Sequence, residues 1–386
     1  MDTSGGTERF PVLITVRELD TGGIERDAVR IAIGLQNTRF PAHIASFRNF
    51  GIRFDEIQKH RVPFLYLPIQ SVLSRTGVMS VVRLRQYVQE HGIRLVHAFD
   101  ASASFAAPAA RAIGVPKVLA SQLGSRDLMD RRSRNWMRLT DRIVDKVIVN
   151  CEAMRRHLIE DEGVPASRIE LCYNGVDPSE FYPNTRPKPT IEGAEDASLV
   201  VGTVCVLRPE KALHLLQEAF ALVRHIGPRM KLLIVGSGPE LPHLQRNSEA
   251  LQIADDSVFL PATREVPRIL HGIDIFVSSS SSEAFSNAVL EAMTSGCAVV
   301  GSRVGGTPEL IGDNERGLLF TPGDANDLAA KLAMLIRDAS MRSRLGSQAA
   351  EYARQTWSIG AAVKRMSQIY QSVLRSKDVQ GAFRQA

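Results

Sequence analysis

The feature that most limits the folds open to this chain is a set of short runs that are apolar almost throughout. "FPVLITV" (10–16), "HIASF" (43–47), "FLYL" (64–67), "RLVHAF" (94–99), "KVLA" (117–120) and "KVIV" (146–149) occupy the first half. "LVVGTVCVL" (199–207), "KLLIV" (231–235), "SVFL" (257–260), "IFV" (275–277), "AVVG" (298–301) and "GLLF" (317–320) occupy the second. A strand with one wet face alternates apolar and polar residues; a run without alternation is covered on both faces. Helical-period segments separate most of these runs. After Gly23, for example, Ile24, Ala28, Ile31 and Leu35 fall at steps of four, three and four. Each half is therefore expected to be a doubly wound α/β domain with a parallel sheet. Such sheets bind ligands at the carboxyl ends of their strands, and two of them facing one another would make the cleft between them the natural active site.

The length of 386 residues suits two cores rather than one. The segment "DPSEFYPNTRPKPTIEGAEDAS" (177–198) is rich in proline and charge and poor in periodicity, which marks a linker. The expected division is a first domain over 1–180, a linker over 181–198 and a second domain over 199–357. A last helix over 358–386 follows, with Ile359, Val363, Met366, Tyr370 and Val373 at helical spacing.

Composition removes several classes. No apolar run approaches the ~18–20 residues needed to span a bilayer, and the polar opening "MDTSGGTERF", without a basic then apolar stretch, is not expected to act as a secretory leader. Cys151, Cys172, Cys205 and Cys297 lack metal or disulfide spacing, which fits a reducing cytoplasm. A formal charge of +5 is too mild to imply nucleic acid. Its excess is concentrated in "RDLMDRRSRNWMR" (126–138), where Arg126, Arg131, Arg132, Arg134 and Arg138 stand against Asp127 and Asp130, beside Trp136 and Met137. Such a segment can rest on anionic headgroups at the inner face of a membrane, steer an anionic substrate, or simply form a solvated helix face.

Four stretches carry chemistry. "VLRPEKALHLLQEAF" ends a strand near Leu207 and places Arg208 and Lys211 in the loop and first turn of a helix expected over 211–220. Two cations there oppose the helix dipole, a cost of about 0.5–1 kcal/mol that a bound diphosphate would offset. The plainer alternative pairs Arg208 with Glu210 and leaves Lys211 solvated. "KLLIVGSGPE" runs into Gly236-Ser237-Gly238, half of a dinucleotide fingerprint whose third glycine is replaced by Leu241. That disfavours a nicotinamide site and leaves a tight turn, with or without a nucleotide beside it. "SSSEAFSNAVLEAM" (280–293) sets Glu283 in a loop and Glu291 about one turn into a helix, with no obvious local cation for either. Sugar or ribose hydroxyls can fill that place, since one carboxylate accepts from two vicinal hydroxyls. The amides of Phe285, Ser286 and Asn287 would face an anion ahead of the helix. Finally, Gly22 and Gly23 in "ELDTGGIERDAVRIAIGL" allow close approach to the backbone.

Taken together and in this order, these elements resemble a retaining GT-B glycosyltransferase of family 4. The resemblance rests on Glu283 and Glu291 in an E-x7-E element, "RPEK", "VGSGPE", "YNGVD" (173–177), "GGTPELI" (305–311), "GLLF" and the early glycine pair. It implies two Rossmann-like domains about a central cleft, the first for the acceptor and the second for a nucleotide diphosphate sugar, with UDP or GDP as the expected nucleotide. The last helix would pack back on the first domain. Arg208 and Lys211 would hold the diphosphate, and Glu291 the ribose. Glu283 would hold the transferred sugar, aided by the amides of Ala284, Phe285, Ser286 and Asn287. Gly22-Gly23 would face the diphosphate, and Gly236, Ser237 and Gly238 would line the donor site. No cofactor or metal is implied, the acceptor would be a polysaccharide, glycolipid or lipid-linked glycan, and front-face substitution would be the route. Two positions depart from the family pattern. Ser121-Gln122-Leu123-Gly124 lacks the usual histidine, leaving His97, Asp100, Gln122 and Arg126 as acceptor-side candidates, and Ala284 replaces the usual glycine. A scaffold that binds a nucleotide sugar without transfer, or a nucleotide-sugar epimerase, are the alternatives.

Overall fold

The computed structural model describes residues 8–375 apart from 21, 49–50, 70–73, 100–101, 125, 127–128, 184–187 and 313. The chain forms two compact units, Met1–Gly175 with Ile359–Ala386, and Val176–Ser358. Within the segment 181–198, expected as a linker, Phe181, Ile191 and Ala194 are buried and Lys188 pairs with Asp274 of the second unit. Apolar anchors spaced along a proline-rich stretch tie it down without any periodicity to announce them.

The first unit holds strands β1 (Val12–Val16), β2 (Ala42–Ser46), β3 (Phe64–Tyr66), β4 (Leu95–Phe99), β5 (Lys117–Gln122), β6 (Lys146–Val149) and β7 (Ile169–Leu171). They form one parallel sheet in the order β3-β2-β1-β4-β5-β6-β7. The second holds β8 (Leu199–Val204), β9 (Met230–Val235), β10 (Ser257–Leu260), β11 (Ile275–Ser278), β12 (Ala298–Ser302) and β13 (Leu318–Phe320), ordered β10-β9-β8-β11-β12-β13 and again parallel. Both are Rossmann-like, and the runs read as strands in the sequence are all strands here. β7 was not visible in the pattern, because Glu170 interrupts its three residues. As an edge strand it can afford that charge, which pairs with Lys146 at 3.0 Å and Arg365 at 2.9 Å.

In each sheet the direction of winding reverses once, between β1 and β4 and between β8 and β11. Loops that leave neighbouring strands at such a reversal diverge to opposite faces and open a crevice. The loops after β8 and β11 carry the "RPEK" and "SEAFSN" residues.

The helix Ile359–Arg375 packs on the helix Gly23–Leu35 within the first unit, burying Met366, Ile369, Tyr370 and Val373. Tyr370 reaches the centre of the sheet, where its hydroxyl lies 2.8 Å from His97 Nδ1; His97 Nε2 lies 2.8 Å from Ser121 Oγ. Burial drives the His97 pKa down to about 3, so the ring is neutral. His43 is lowered to about 4 by burial and by His91. In the unfolded chain both return to about 6.5. The unfolded state therefore binds more protons below pH 6.5, and stability must fall as pH drops from there toward the folded values. Each ring contributes a slope approaching about 1.4 kcal/mol per pH unit. Urea unfolding between pH 7 and 5 is expected to show this decline, and His97→Gln to remove about half of it; an unchanged slope would mean that His97 is not held neutral.

Candidate functional site

The geometry at the reversal of the second sheet begins with backbone. β8 ends at Val204, and Cys205–Leu207 continue as a loop stacked on Gly236-Ser237-Gly238: Cys205 N donates to Val235 O, and Leu207 N donates to Ser237 O. A Cβ on Gly236 would sit 1.8 Å from Cys205 O, and one on Gly238 2.3 Å from Leu207 O. Gly236 also holds φ +151°. The glycines thus answer to this loop-on-loop contact, and Ser237 Oγ accepts from Ala262 N.

The helix expected over 211–220 starts later than its sequence suggests. Pro209–Lys211 form a single 3-10 turn, Ala212 follows at φ 46°, and the helix runs Leu213–Val223. The left-handed residue turns the chain, so Lys211 is not in the helix's first turn but points back toward the β11 loop. There its Nζ lies 2.6 Å from Glu283 Oε2, across 72 residues of sequence. No cation stands close to Glu283 in the sequence; the one it meets comes from the neighbouring strand's loop, where sequence spacing cannot show it. Ser280 Oγ donates to the same carboxylate oxygen at 3.2 Å. Burial lowers the Lys211 pKa, but the Glu283 carboxylate outweighs it and the net shift is upward. Lys211 is therefore charged throughout the neutral range.

Two serines bind the two loops into one piece. Ser279 Oγ donates to Lys211 O at 2.9 Å, Ser281 N donates to Glu210 O at 2.8 Å, and Ser281 Oγ donates to the same carbonyl at 3.2 Å. From the other side Gly306 N donates to Ala284 O at 2.6 Å. A Cβ on Gly305, whose φ is +48°, would fall 1.6 Å from Glu283 O. Gly305 therefore fixes the Glu283 backbone, a role that its place in "GGTPELI" did not disclose. Ala284 and Phe285 are buried, and the Phe285 ring meets Trp357 edge-on at 5.7 Å. Ser286 caps the helix Asn287–Thr294 by accepting from Val289 N.

Lys211, Glu283 and Ser286 line one shallow hollow with Thr203, Cys205 and Ser278–Ser280. Arg208 extends into solvent beside it, 3.9 Å from Glu210, the loose pairing raised as its plainer alternative. Glu291 is buried within the helix Asn287–Thr294. The hollow offers an ammonium with two protons beyond the one given to Glu283, a carboxylate and several hydroxyls. Such a set suits a ligand that is anionic at one end and hydroxylated at the other.

In the first unit Gly22 precedes the helix Gly23–Leu35 at φ −57° and ψ 149°, so no left-handed conformation demands it. The Glu25 carboxylate fills the space beside it, 1.8 Å from where a Cβ would stand. The acceptor-side candidates fare differently from expectation. His97 is fully buried in its contacts to Tyr370 and Ser121. Arg126 is fully buried too, 2.7 Å from Asp141 and 3.3 Å from Glu162, and so ties the helix Arg131–Ile143 to Glu162. Asp100 lies outside the described residues. Gln122 is also buried, yet neither its amide oxygen nor its nitrogen has a hydrogen-bond partner among the described residues. An open buried amide costs about 1–3 kcal/mol, which a hydrogen-bonding ligand or water would recover.

Comparison with known proteins places this geometry. The model for "Glycosyltransferase Family 4" matches residues 21–180, and that for "Glycosyl transferases group 1" matches 185–352. A sulfoquinovosyl transferase of Arabidopsis thaliana is 26% identical over 364 residues, 90% of this chain and 67% of that protein. An N-acetyl-alpha-D-glucosaminyl L-malate synthase of Bacillus anthracis is 29% identical over 55% of each chain. A D-inositol 3-phosphate glycosyltransferase of Mycobacterium ulcerans is 30% identical over 54% of this chain and 45% of that one. The chain thus spans about half the length of the last two. Among solved structures, Anabaena HepE in complex with UDP and glucose superposes with a TM-score of 0.83 at 22% identity, over 94% of this chain and all of that one. A glycosyltransferase of Rickettsia africae gives 0.82 at 18%, over 96% of this chain and all of that one. The fold is the GT-B fold.

Gly305→Ala is expected to lower stability by about 1–3 kcal/mol, as overpacking against backbone does. Amide exchange should quicken at residues 283–286 in particular. A variant with unchanged exchange there would show that Gly305 does not brace the Glu283 loop.

Proposed function

We propose that this chain, which belongs to the glycosyltransferases of family 4, transfers a hexose with retention from a nucleotide diphosphate sugar to a glycan, glycolipid or lipid-linked acceptor. The single observation that carries the reading is the Lys211–Glu283 pair at 2.6 Å in the hollow where the second sheet reverses. Lys211 gives one hydrogen bond to Glu283 and keeps two protons for phosphate oxygens, and Arg208, exposed and only loosely paired with Glu210, adds a second cation. Glu283 accepts from hydroxyls of the transferred sugar while its charge stays neutralised, and Glu291 accepts from the ribose. Relatives named as a sulfoquinovosyl transferase and a D-inositol 3-phosphate glycosyltransferase support sugar transfer, and UDP is taken as the donor nucleotide after the like-folded chain solved with UDP and glucose.

Breaking the anomeric bond builds positive charge on the sugar and negative charge on the leaving diphosphate. Fixed cations at that diphosphate act on charge that is larger in the transition state than in the ground state, which is the condition for raising turnover. In this reading Arg208 and Lys211 do what a metal does elsewhere. The acceptor hydroxyl attacks the face the diphosphate leaves, and its proton passes to a leaving phosphate oxygen, so no protein nucleophile is required. The acceptor is held by the first unit, with the open amide of Gln122 as one of its hydrogen-bonding groups, and the reaction runs in the cytoplasm.

A second reading, binding without transfer, is favoured by the absence of histidine from Ser121-Gln122-Leu123-Gly124. Incubation with UDP-, GDP- and ADP-sugars separates the two. Turnover with retained anomeric configuration is expected from one of them, and Arg208→Ala is expected to cut it by about 10²–10³-fold, in line with loss of one charge-stabilising donor. Tight donor binding without turnover under every acceptor tried would favour the second reading, and full turnover in Arg208→Ala would overturn the first.

A further inference from the structure

The helix Arg75–Glu90 is amphipathic in the wrong sense for a soluble surface. Its inward face is Gly77, Ser80 and Leu84, all buried. Its outward face carries Val78, Met79 and Val82, exposed by 61%, 56% and 52%. At 100° per residue these three fall on one stripe with Arg75, and the exposed Arg83 and Arg85 flank the stripe on its two sides. A contiguous exposed apolar patch rimmed by polar residues marks an interaction surface.

A second helix of the same layer continues the surface. The small-residue helix Ala103–Ala112 packs against both Arg75–Glu90 and Arg131–Ile143, so all three lie in one layer on one side of the first sheet. Trp136 leans over it, Nε1 donating to Ser104 O at 2.7 Å while its ring stays partly in solvent. Leu139 is exposed among Arg131, Arg132 and Arg142. The acid within this helix, Asp141, is spent on buried Arg126, and Arg138 is held by Glu162. The layer therefore presents apolar side chains set among arginines, with Glu90 and Asp130 as exposed acids at helix ends.

We propose that this three-helix layer is a membrane-docking surface for anionic lipid, with Val78, Met79 and Val82 entering the interface and the flanking arginines meeting headgroup phosphates. Charge complementarity selects the occupant. A second copy would bring the same arginines against themselves, and a neutral bilayer would leave them without counter-charge. The apolar stripe sits on a helix remote in sequence from the basic 126–138 segment, and Arg126 takes no part. The inference goes beyond the transferase reading and does not need it.

Vesicle co-sedimentation without donor or acceptor tests it. The whole chain is expected to pellet with phosphatidylcholine vesicles containing one-third phosphatidylglycerol and not with phosphatidylcholine alone. M79D/V82D should weaken binding at least tenfold at every salt concentration, with thermal unfolding and UDP binding unchanged; M79Q/V82Q, gentler to the fold, should weaken it in the same direction. R83E/R132E should weaken it at low salt and converge on the parent as salt rises. Equal binding to neutral vesicles, or parent-like binding by M79D/V82D, would overturn the proposal. So would a dimer in solution that M79D/V82D dissociates with no vesicle binding at all. Failure here leaves donor turnover untouched, and failure of donor turnover leaves vesicle binding untouched.

Discussion

An ammonium and a carboxylate 2.6 Å apart, from loops 72 residues distant in sequence, fix the shape of the second unit's site. Lys211 sits on a single 3-10 turn ended by a left-handed alanine, and Glu283 sits in an irregular stretch between β11 and its helix. The pair converts two mobile-looking connections into one charged, hydrogen-bonded wall. The surrounding sequence is built to permit that contact. Gly236 and Gly238 remove side chains where the β9 loop lies on the β8 loop, Gly305 removes one behind Glu283, and the serine run supplies the cross-links. A partly buried ion pair repays its desolvation only with such extra hydrogen bonds. A single lysine then serves two ends: it neutralises the group that would hold a sugar and it has protons left for a phosphate.

The first unit solves a different problem with the same fold. Polar groups that sequence order suggested for ligand contact are drawn inward: His97 bridges Tyr370 and Ser121, and Arg126 is clasped by Asp141 and Glu162. Removing one partner from so buried a charge pair typically costs about 3–5 kcal/mol, which is reason enough for Arg126 without any ligand. Gln122 is the exception, buried with its amide open at the carboxyl end of β5.

What could be read from the sequence follows from which forces act locally. Strands buried on both faces write their burial into every residue, so twelve of the thirteen were legible; β7 was not, because a paired glutamate breaks a run of only three. Arg208, Lys211 and both glutamates stood out as motifs, but Glu283's partner did not, since it is chosen by strand order and not by spacing. The start of the helix at Leu213 turned on Ala212 holding φ 46°, a conformation that alanine does not advertise. The segment 126–138 looked like one basic face, whereas tertiary packing splits it, sinking Arg126 and leaving Arg131 and Arg132 outside. The apolar stripe of Arg75–Glu90 went unread because helical period alone does not say which face is inward.

The central claim is that Lys211 and Glu283 work as one unit on the donor. A double-mutant cycle on kcat/KM for sugar transfer, using Lys211→Met, Glu283→Gln and the two together, measures that directly. Strong non-additivity is predicted, with the double variant little worse than the poorer single one and a coupling above about 1 kcal/mol. Effects that add within about 0.5 kcal/mol would show that the two side chains act separately and that their contact is incidental to the chemistry.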